Sequence, residues 1–441
     1  MKKIVLSLFV FAISANIVAA DHVMAATKRA PEKEVPATLN LSLQEAQDYA
    51  VAENRSLRNA DLAVQKAYAT RWQTIASMLP SVDMSWAYQS MMGYKMNFGG
   101  MPIEMPDNGT FGITASVGIN GQAIVGALLN NTAIEMQKLN LEISEDNLRA
   151  NVKSSYASVL VLEDVVKLLD NSLKNIEHLA AMTQRSVEVG AAEQTTADQI
   201  LVRVNTLKNN INANKRSTQL ALNALKVLLN VPAETELTLT TQLTDMLSAE
   251  AILNLLGQDF VLENNLSYQT LAKNVELAKK NVHMAGWAYG PTIGVGYQYS
   301  EKDYFGKKEG FNMTPPNALS IQVSMPLWSS GKRAAGVVEK KIALEEARNT
   351  FEETSDNLGI QNEQLRYNLQ NAFETYTNEQ ENMSVTQRVF DNTSLKFQQG
   401  VASNLDLVNA SNDLITAQST YVQAVLTLVN AEVELEKFLN L

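Results

Sequence analysis

The chain has 441 residues, no cysteine, 46% hydrophobic residues and a formal charge of −11. Such acidity argues against nucleic acid as a partner, because phosphate binding needs a basic face. Without cysteine, no disulfide framework, thiolate zinc site or Cys-linked lipid anchor is expected. The apolar content is that of a chain that buries a core, and disorder is expected only at the polar start.

The first twenty residues read as a signal peptide: Lys2 and Lys3, an apolar run from Ile4 to about Ala15, then Val18-Ala19-Ala20 before Asp21. The run is too short to span a bilayer, and Val18 and Ala20 fit a cleavage pattern. Removing residues 1–20 takes away two lysines and no acid, which moves the charge from −11 to −13. A flexible segment, 21–40, is expected next. Nothing after residue 20 reaches 18 consecutive apolar residues, so no transmembrane helix is predicted.

Ser42 followed by Glu45 reads as a capping box opening a helix to about Met78, and Pro80 ends it. From Ser81 the period changes to 2, with Val82, Met84, Trp86 and Tyr88 alternating with Asp83, Ser85, Ala87 and Gln89. That alternation predicts a strand with one apolar and one polar face. A loop rich in Gly, Met and Pro, 93–109, leads to a second strand with Ile113, Ala115, Val117 and Ile119 on its apolar side. No glycine then occurs between Gly126 and Gly190, and no proline between Pro106 and Pro232. The 68 residues from Gln122 to Val189 would make a helix ~100 Å long at 1.5 Å per residue. A turn at Val189-Gly190-Ala191-Ala192 and a return helix ending at Asn230-Val231-Pro232 complete a hairpin.

The same order follows a linker and a short helix near Leu247–Leu256. A helix is expected from about Phe260 to Ala288, with a break at Pro291. A strand then carries Ile293, Val295, Tyr297 and Tyr299 on one side. A polar loop with Lys302, Asp303, Lys307, Lys308 and Glu309 leads to a strand with Leu319, Ile321, Val323 and Met325. A second long hairpin turns at Gln399-Gly400-Val401-Ala402. Asn54/Asn265, Pro80/Pro291 and Tyr88/Tyr299 stand 211 residues apart, while Gly190/Gly400, Leu229/Leu439 and Asn230/Asn440 stand 210 apart. The chain therefore reads as an internal duplication: 41–232 with a β-hairpin at 81–121 and a helical tip near 190, and 258–441 with a β-hairpin at 292–327 and a tip near 400. A linker and short equatorial helix, 233–257, join the two. Units of this length are too long for solenoid repeats.

Each predicted strand matches the length of a tilted membrane-spanning strand. One face of a soluble sheet packed on a helix would alternate equally well. Three observations favour the membrane: the export signal, the aromatics around the strands (Trp86, Tyr88, Trp287, Tyr297, Tyr299 and Trp328), and polar faces made of small, wettable residues. In lipid every backbone N–H and C=O needs an internal partner, so a spanning sheet must close on itself. Four strands cannot close a barrel wide enough to pass anything, so strands must be pooled between copies. Sequence alone does not give their number. On the return helices, Val204, Leu207, Ile211 and Leu225, and Leu407, Leu414, Val425 and Leu435, follow three-and-four spacing. A seven-residue apolar period winds helices into a left-handed coil. A dimeric coiled coil would explain that period too, but it leaves the strands unaccounted for.

With Leu43-x-x-Ala46…Asn54-x-x-Leu57, Leu79-Pro80-Ser81 and the turn Gly400-x-x-Ser403-x-Leu405-Asp406 in this duplicated order, the chain from Leu41 to Leu441 resembles the TolC-like outer-membrane efflux proteins. The resemblance implies a mostly α fold with a small β part. In it, long coiled helical hairpins form a trimeric α-barrel continuous with a 12-stranded outer-membrane β-barrel, four strands per chain. It also implies an exit duct of a tripartite efflux or type I secretion system. The implied partners are two further copies, a periplasmic adaptor (membrane fusion) protein, an inner-membrane pump of RND or ABC type, and outer-membrane lipid. The turns at Gly190 and Gly400 would be the periplasmic tip, and Asp406 matches an acidic pore position. Asn409 stands where some relatives carry a second acid, and Thr196 where the first hairpin can carry one. Three copies of Asp406 in a narrow throat would attract cations. Asp406 would equally serve as a helix cap after Ser403.

No enzyme, cofactor or metal site is expected. His22, His178 and His283 lack a second ligand at helical spacing. Gly121-x-x-x-x-Gly126 is followed by Ala127-Leu128 rather than the Lys-Ser/Thr of a phosphate loop. The rival expectations are a periplasmic coiled-coil scaffold or adaptor without a pore and, less favoured, a secreted enzyme.

Overall fold

The computed structural model describes residues 37–190, 192–305 and 315–441. The expected signal peptide, Ala191 of the first turn, and Lys307, Lys308 and Glu309 of the polar loop lie outside the described residues. In chain order the elements are β1 (Thr38–Leu41), α1 (Leu43–Glu53), α2 (Arg55–Ala76), β2 (Ser81–Gln89), β3 (Lys95–Phe98), β4 (Met101–Glu104) and β5 (Asn108–Asn120). There follow α3 (Gly121–Glu188), α4 (Gln194–Leu228), β6 (Glu236–Leu239), α5 (Leu243–Met246), α6 (Ala249–Leu256) and α7 (Leu266–Gly286). The rest comprises β7 (Thr292–Tyr304), β8 (Asn317–Ser324), α8 (Lys332–Gln398) and α9 (Asn404–Leu439). The chain divides into two compact units: Asp61–Lys138 with Thr270–Phe351, and Leu139–Gln269 with Glu352–Leu441 and the described residues up to Ala60.

The first unit holds an antiparallel sheet in the order β2-β5-β7-β8. Beside it, α7 is tied to the start of α3 by a polar network. Lys280 Nζ donates to Thr132 Oγ1 at 2.6 Å, and Thr132 Oγ1 donates to Glu276 Oε1 at 3.2 Å. Lys273 Nζ lies 2.6 Å from Glu135 and 3.2 Å from Glu276, and Lys280 lies 2.7 Å from Glu276. The Lys280 ammonium, together with that of Lys273, holds the Glu276 carboxyl down at about 2. Nearer the start of α3, Asn130 donates to Thr74 Oγ1 of α2 at 2.7 Å.

The second unit holds the greater part of both helical hairpins, from Leu139 of α3 and Glu352 of α8 onward. Here α3 and α4 pack with α8 and α9 through Leu169, Ile176, Leu179, Ile200, Val204, Leu207, Phe390, Leu407 and Leu414, all buried. The expected three-and-four apolar spacing on α4 and α9 is thus the buried seam. Farther along, Lys153 of α3 is clamped by Glu432 at 2.8 Å and Glu436 at 2.7 Å of α9. Burial pushes the Glu432 carboxyl above its ordinary range, against the pull of Lys153. Tyr156 is fully buried; its hydroxyl donates to Leu41 O at 2.9 Å and accepts from Thr241 N–H at 3.0 Å. That hydroxyl pins the end of a parallel pair, β1 with β6, which joins residues 38–41 to 236–239. Residues 38–40 are therefore strand rather than flexible segment, and 236–239 are strand rather than plain linker.

Two expected continuous helices are in fact broken, each at an asparagine. Asn54 and Asn265 are extended, with ψ 129° and 126°. The Oδ1 of Asn54 accepts from Ser56 N–H at 2.8 Å and Leu57 N–H at 3.2 Å, which caps α2. The Oδ1 of Asn265 does the same for Ser267 at 3.0 Å and Tyr268 at 3.3 Å, capping α7. Each amide then reaches a return helix: Asn54 donates to Leu228 O at 2.8 Å, and Asn265 to Phe438 O at 3.0 Å. A second asparagine answers at each break. Asn230 and Asn440, both left-handed at φ 55° and 57°, donate to Glu53 O at 3.1 Å and to Asn264 O. The cap is local, but the reciprocal amides fasten the end of each return helix to the break. A break in the helix is what frees those carbonyls to accept.

Asn265→Ala and Asn54→Ala each remove a cap and a backbone clasp, at an expected cost of about 1–2 kcal/mol. A lowered thermal midpoint checks this, with the larger drop at the more buried Asn265; shifts no larger than those of exposed polar substitutions would contradict the clasp. Because Glu276 is held near 2 against an ordinary 4.5, its contribution is full above pH 4.5 and lost as pH falls toward 2. Glu276→Gln should lower the thermal midpoint at pH 6, and the gap to the parent should close on acidification. A gap independent of pH would contradict the ion network.

Candidate channel-forming surfaces

The strand register places the expected apolar positions on one face, except Met325, which follows the end of β8. Rows across the sheet read Val82, Ala115, Tyr297, Leu319; then Met84, Ile113, Tyr299; then Val117, Val295, Ile321; then Ile119, Ile293, Val323. The other face reads Ser81, Ser116, Gly296, Ser320; then Asp83, Thr114, Gln298, Ala318; then Gly118, Gly294, Gln322. Antiparallel partners share a face, so the alternation in each strand becomes a two-faced sheet. The apolar face is uncovered: Trp86 is 69% exposed, and Leu319 and Ile321 are 71% exposed. A contiguous apolar face of this kind marks a surface made for contact with something other than water. Among the described residues both outer strands are unpaired on one side, since β2 bonds only to β5 and β8 only to β7.

The expected interface aromatics separate into two groups. Trp86, Tyr88, Tyr297 and Tyr299 sit on the apolar face within strands, with Trp86 and Tyr88 toward the end that carries the 93–109 loop. Trp287 and Trp328 lie outside the strands, just before β7 and just after β8. Trp287 has a packing role that periodicity did not reveal. Its ring lies over the first residue of α3, where a Cβ on Gly121 would stand 2.1 Å from Cε3. Only glycine permits that approach. Close by, the Arg333 guanidinium lies 5.2 Å from the Tyr289 ring and donates to Pro326 O at 2.7 Å, fixing the exit from β8.

At the hairpin turns, Gly190 and Gly400 are left-handed at φ 75° and 74°, the conformation glycine adopts at helix ends. After Gly400, Val401 N–H donates to Lys396 O at 2.9 Å and Gly400 N–H to Phe397 O at 2.9 Å. The second turn then starts α9 with a complete capping box. Ser403 Oγ accepts from Asp406 N–H at 3.2 Å, and the Asp406 carboxylate accepts from Ser403 N–H at 2.9 Å and its hydroxyl at 2.7 Å. These bonds hold the Asp406 carboxyl below the ordinary aspartate range, so it is charged at neutral pH. The first turn differs. Glu193 stands at the corresponding cap position and makes no side-chain cap bond; half-buried Thr196 donates its N–H to Glu193 O at 3.0 Å. Asn409, three residues after Asp406, is exposed on the same face of α9. Of the six expected turn residues, Ser403 and Asp406 are thus brought into direct contact.

The sequence pattern of the family described as "Outer membrane efflux protein" matches residues 47–231 and 259–441. Curated relatives include the toluene efflux pump outer membrane protein TtgC of Pseudomonas putida. It is 23% identical over 428 residues, covering 90% of this chain and 83% of that protein. The outer membrane efflux protein BepC of Brucella suis biovar 1 (strain 1330) is 23% identical over 301 residues, covering 66% of this chain and 63% of its own length. Among solved structures, the outer membrane protein VceC of Vibrio cholerae superposes with a TM-score of 0.73 at 15% identity, over 90% of this chain and 95% of that one.

The chain belongs to the outer membrane efflux protein family, the TolC-like channels, and has their mostly α fold with a small β part. It is a transport protein of the bacterial outer membrane with a periplasmic portion, an efflux and export channel rather than an enzyme. Membership of this family sets aside the soluble adaptor and the secreted enzyme.

Ser403→Ala breaks the capping box at the second turn and should destabilise the start of α9 by about 1 kcal/mol. Amide hydrogen exchange should quicken over residues 404–408 and stay unchanged over 194–198. Unaltered exchange after Gly400 would contradict the cap.

Proposed function

We propose that three copies pool their four-stranded sheets into one twelve-stranded barrel in the outer membrane. On this reading the two repeats, 41–232 and 258–441 with the 233–257 linker between them, supply two helical hairpins per chain to a periplasmic tunnel. The barrel and tunnel form the passive exit duct of a tripartite efflux or type I secretion machine. A periplasmic adaptor would meet the tips near 190 and 400, and an RND- or ABC-type inner-membrane pump would supply the energy.

The observation that carries this reading is the register. Over most of their length the four strands set an apolar face against one made mainly of Ser, Gly, Thr and Gln, with Glu301 and Asp303 entering the apolar side at its loop end and a free edge on each side. Lipid takes the apolar face and water the small polar one, but lipid does not tolerate free edges. Closure by further copies satisfies both edges with the hydrogen bonds they lack. Exposed apolar side chains on the hairpins (Leu220, Val227, Ile360 and Tyr367) give the helices faces to bury against neighbouring copies. Trp86, Tyr88, Trp287, Tyr297, Tyr299 and Trp328 would form the interfacial girdles. A lumen lined by small polar residues favours passage over recognition, so cargo is set by the pump.

At the tip, three charged Asp406 carboxylates around a narrow axis would raise the local negative potential and favour cations. Single channels in planar bilayers should be cation-selective, and Asp406→Asn should shift the reversal potential toward zero in a salt gradient. An unchanged reversal potential would reduce Asp406 to the helix cap alone. No conductance from the purified protein under any condition would remove the duct reading itself.

A further inference from the structure

Within the second unit, the start of α7 lies against α3. Ile143 and Asp146 of α3 line a cleft with Leu266 of α7, and Glu142 lines the adjoining cleft with Leu266 and Gln269. This contact joins the first half of the chain to the second, and the halves correspond closely around it. Asn54 and Asn265, 211 residues apart, make matching clasps. Leu148 and Leu358, 210 apart, are both buried, and Asp146 and Asp356 are aspartates at that same spacing.

In the chain, β5 leads into α3 and α7 leads towards β7, and β5 and β7 are the two inner strands of the sheet. The outer strands repeat that pattern: β8 leads into α8, and α2 leads towards β2. In a ring, β8 of one copy pairs with β2 of the next. The contact that answers α3 with α7 is then α8 of one copy with α2 of its neighbour. The 210-residue spacing carries Glu142, Ile143 and Asp146 to Glu352, Glu353 and Asp356. The 211-residue spacing carries Leu266 and Gln269 back to Arg55 and Arg58. A mixed contact within the chain thus has a counterpart made of three carboxylates and two guanidiniums. All five side chains are exposed, and among the described residues none of them takes part in an ion pair.

We propose that Arg55 and Arg58 of one copy meet Glu352, Glu353 and Asp356 of the next, forming a charged seam between copies. The seam rests on the ring and the two repeats proposed above, and it adds which surfaces meet and what fixes their register. Glu352 and Asp356 stand four residues apart on α8, and Arg55 and Arg58 three apart on α2, so each set shares a helix face. A single exposed ion pair contributes little. Here the charges form a network that leaves water on assembly, and guanidiniums meet carboxylates in a fixed fork geometry. A seam shifted by some turns of helix would lose these partners, so the charges select one register.

The test uses the full-length protein in mild detergent, with trimer and monomer separated by analytical ultracentrifugation. Arg55→Glu with Arg58→Glu sets like charges together and should raise the trimer dissociation constant at least about tenfold. Adding Glu352→Arg and Asp356→Arg to the same chain should restore the trimer. A second measurement does not depend on the reversed chains assembling. In this cysteine-free chain, a short bis-maleimide should join Arg58→Cys to Glu352→Cys between copies. It should not join Arg58→Cys to Glu363→Cys, about three turns farther along α8. A trimer indifferent to the reversal, no rescue by the compensating pair, or equal cross-linking at 352 and 363 would each overturn the seam while leaving the ring in place. A parent protein that stays monomeric in membranes and detergent would remove the ring and the seam together.

Discussion

The unpaired backbone of a sheet edge governs this structure. Each of β2 and β8 presents a row of N–H and C=O groups with no partner in its own sheet, and in hydrocarbon each such group costs several kcal/mol. In water the same edges would invite uncontrolled pairing, and the apolar face between them would aggregate. On the proposed reading, one polypeptide holds a fragment of a wall that is stable only when further copies complete it. The family relationship says what kind of wall that would be; the free edges are the reason a single copy would not suffice.

Much of this was legible in the sequence because it rests on local periodicity. The switch from period 3.6 to period 2 after Pro80 and Pro291 marks strands that the structure places from Ser81 and Thr292. Glycine at 190 and 400 marks left-handed turns, since few other residues adopt that conformation without strain. What escaped is what depends on distant partners. The β1–β6 pair joins segments nearly two hundred residues apart and gains order from the Tyr156 hydroxyl. Asn54 and Asn265 stand out in the sequence as matching positions 211 residues apart, but their role as helix breaks shows only where their amides meet Leu228 O and Phe438 O. Trp287 read as one more aromatic near a strand, although its ring fills the space that Gly121 leaves open.

On the proposed duplication, several devices should occur twice. The asparagine clasps occur in both halves with matching partners. The hairpin turns differ: Ser403 and Asp406 form a full capping box, while Glu193 and Thr196 make none. A carboxylate engaged by two donors of Ser403 is oriented as well as charged. The second turn therefore combines helix start and fixed charge in one side chain, a combination the first turn lacks.

The most direct test of ring closure exploits the absence of native cysteine. In one chain β2 and β8 are separated by β5 and β7, roughly 14 Å at the usual strand spacing, beyond the reach of a disulfide. Cysteines stepped along β2, each combined with Gln322→Cys on β8, can therefore form disulfides only between copies. Oxidation in outer membranes should give one favoured register whose products end at a covalent trimer. Monomer at every register, or a ladder running past three chains, would contradict the closed wall.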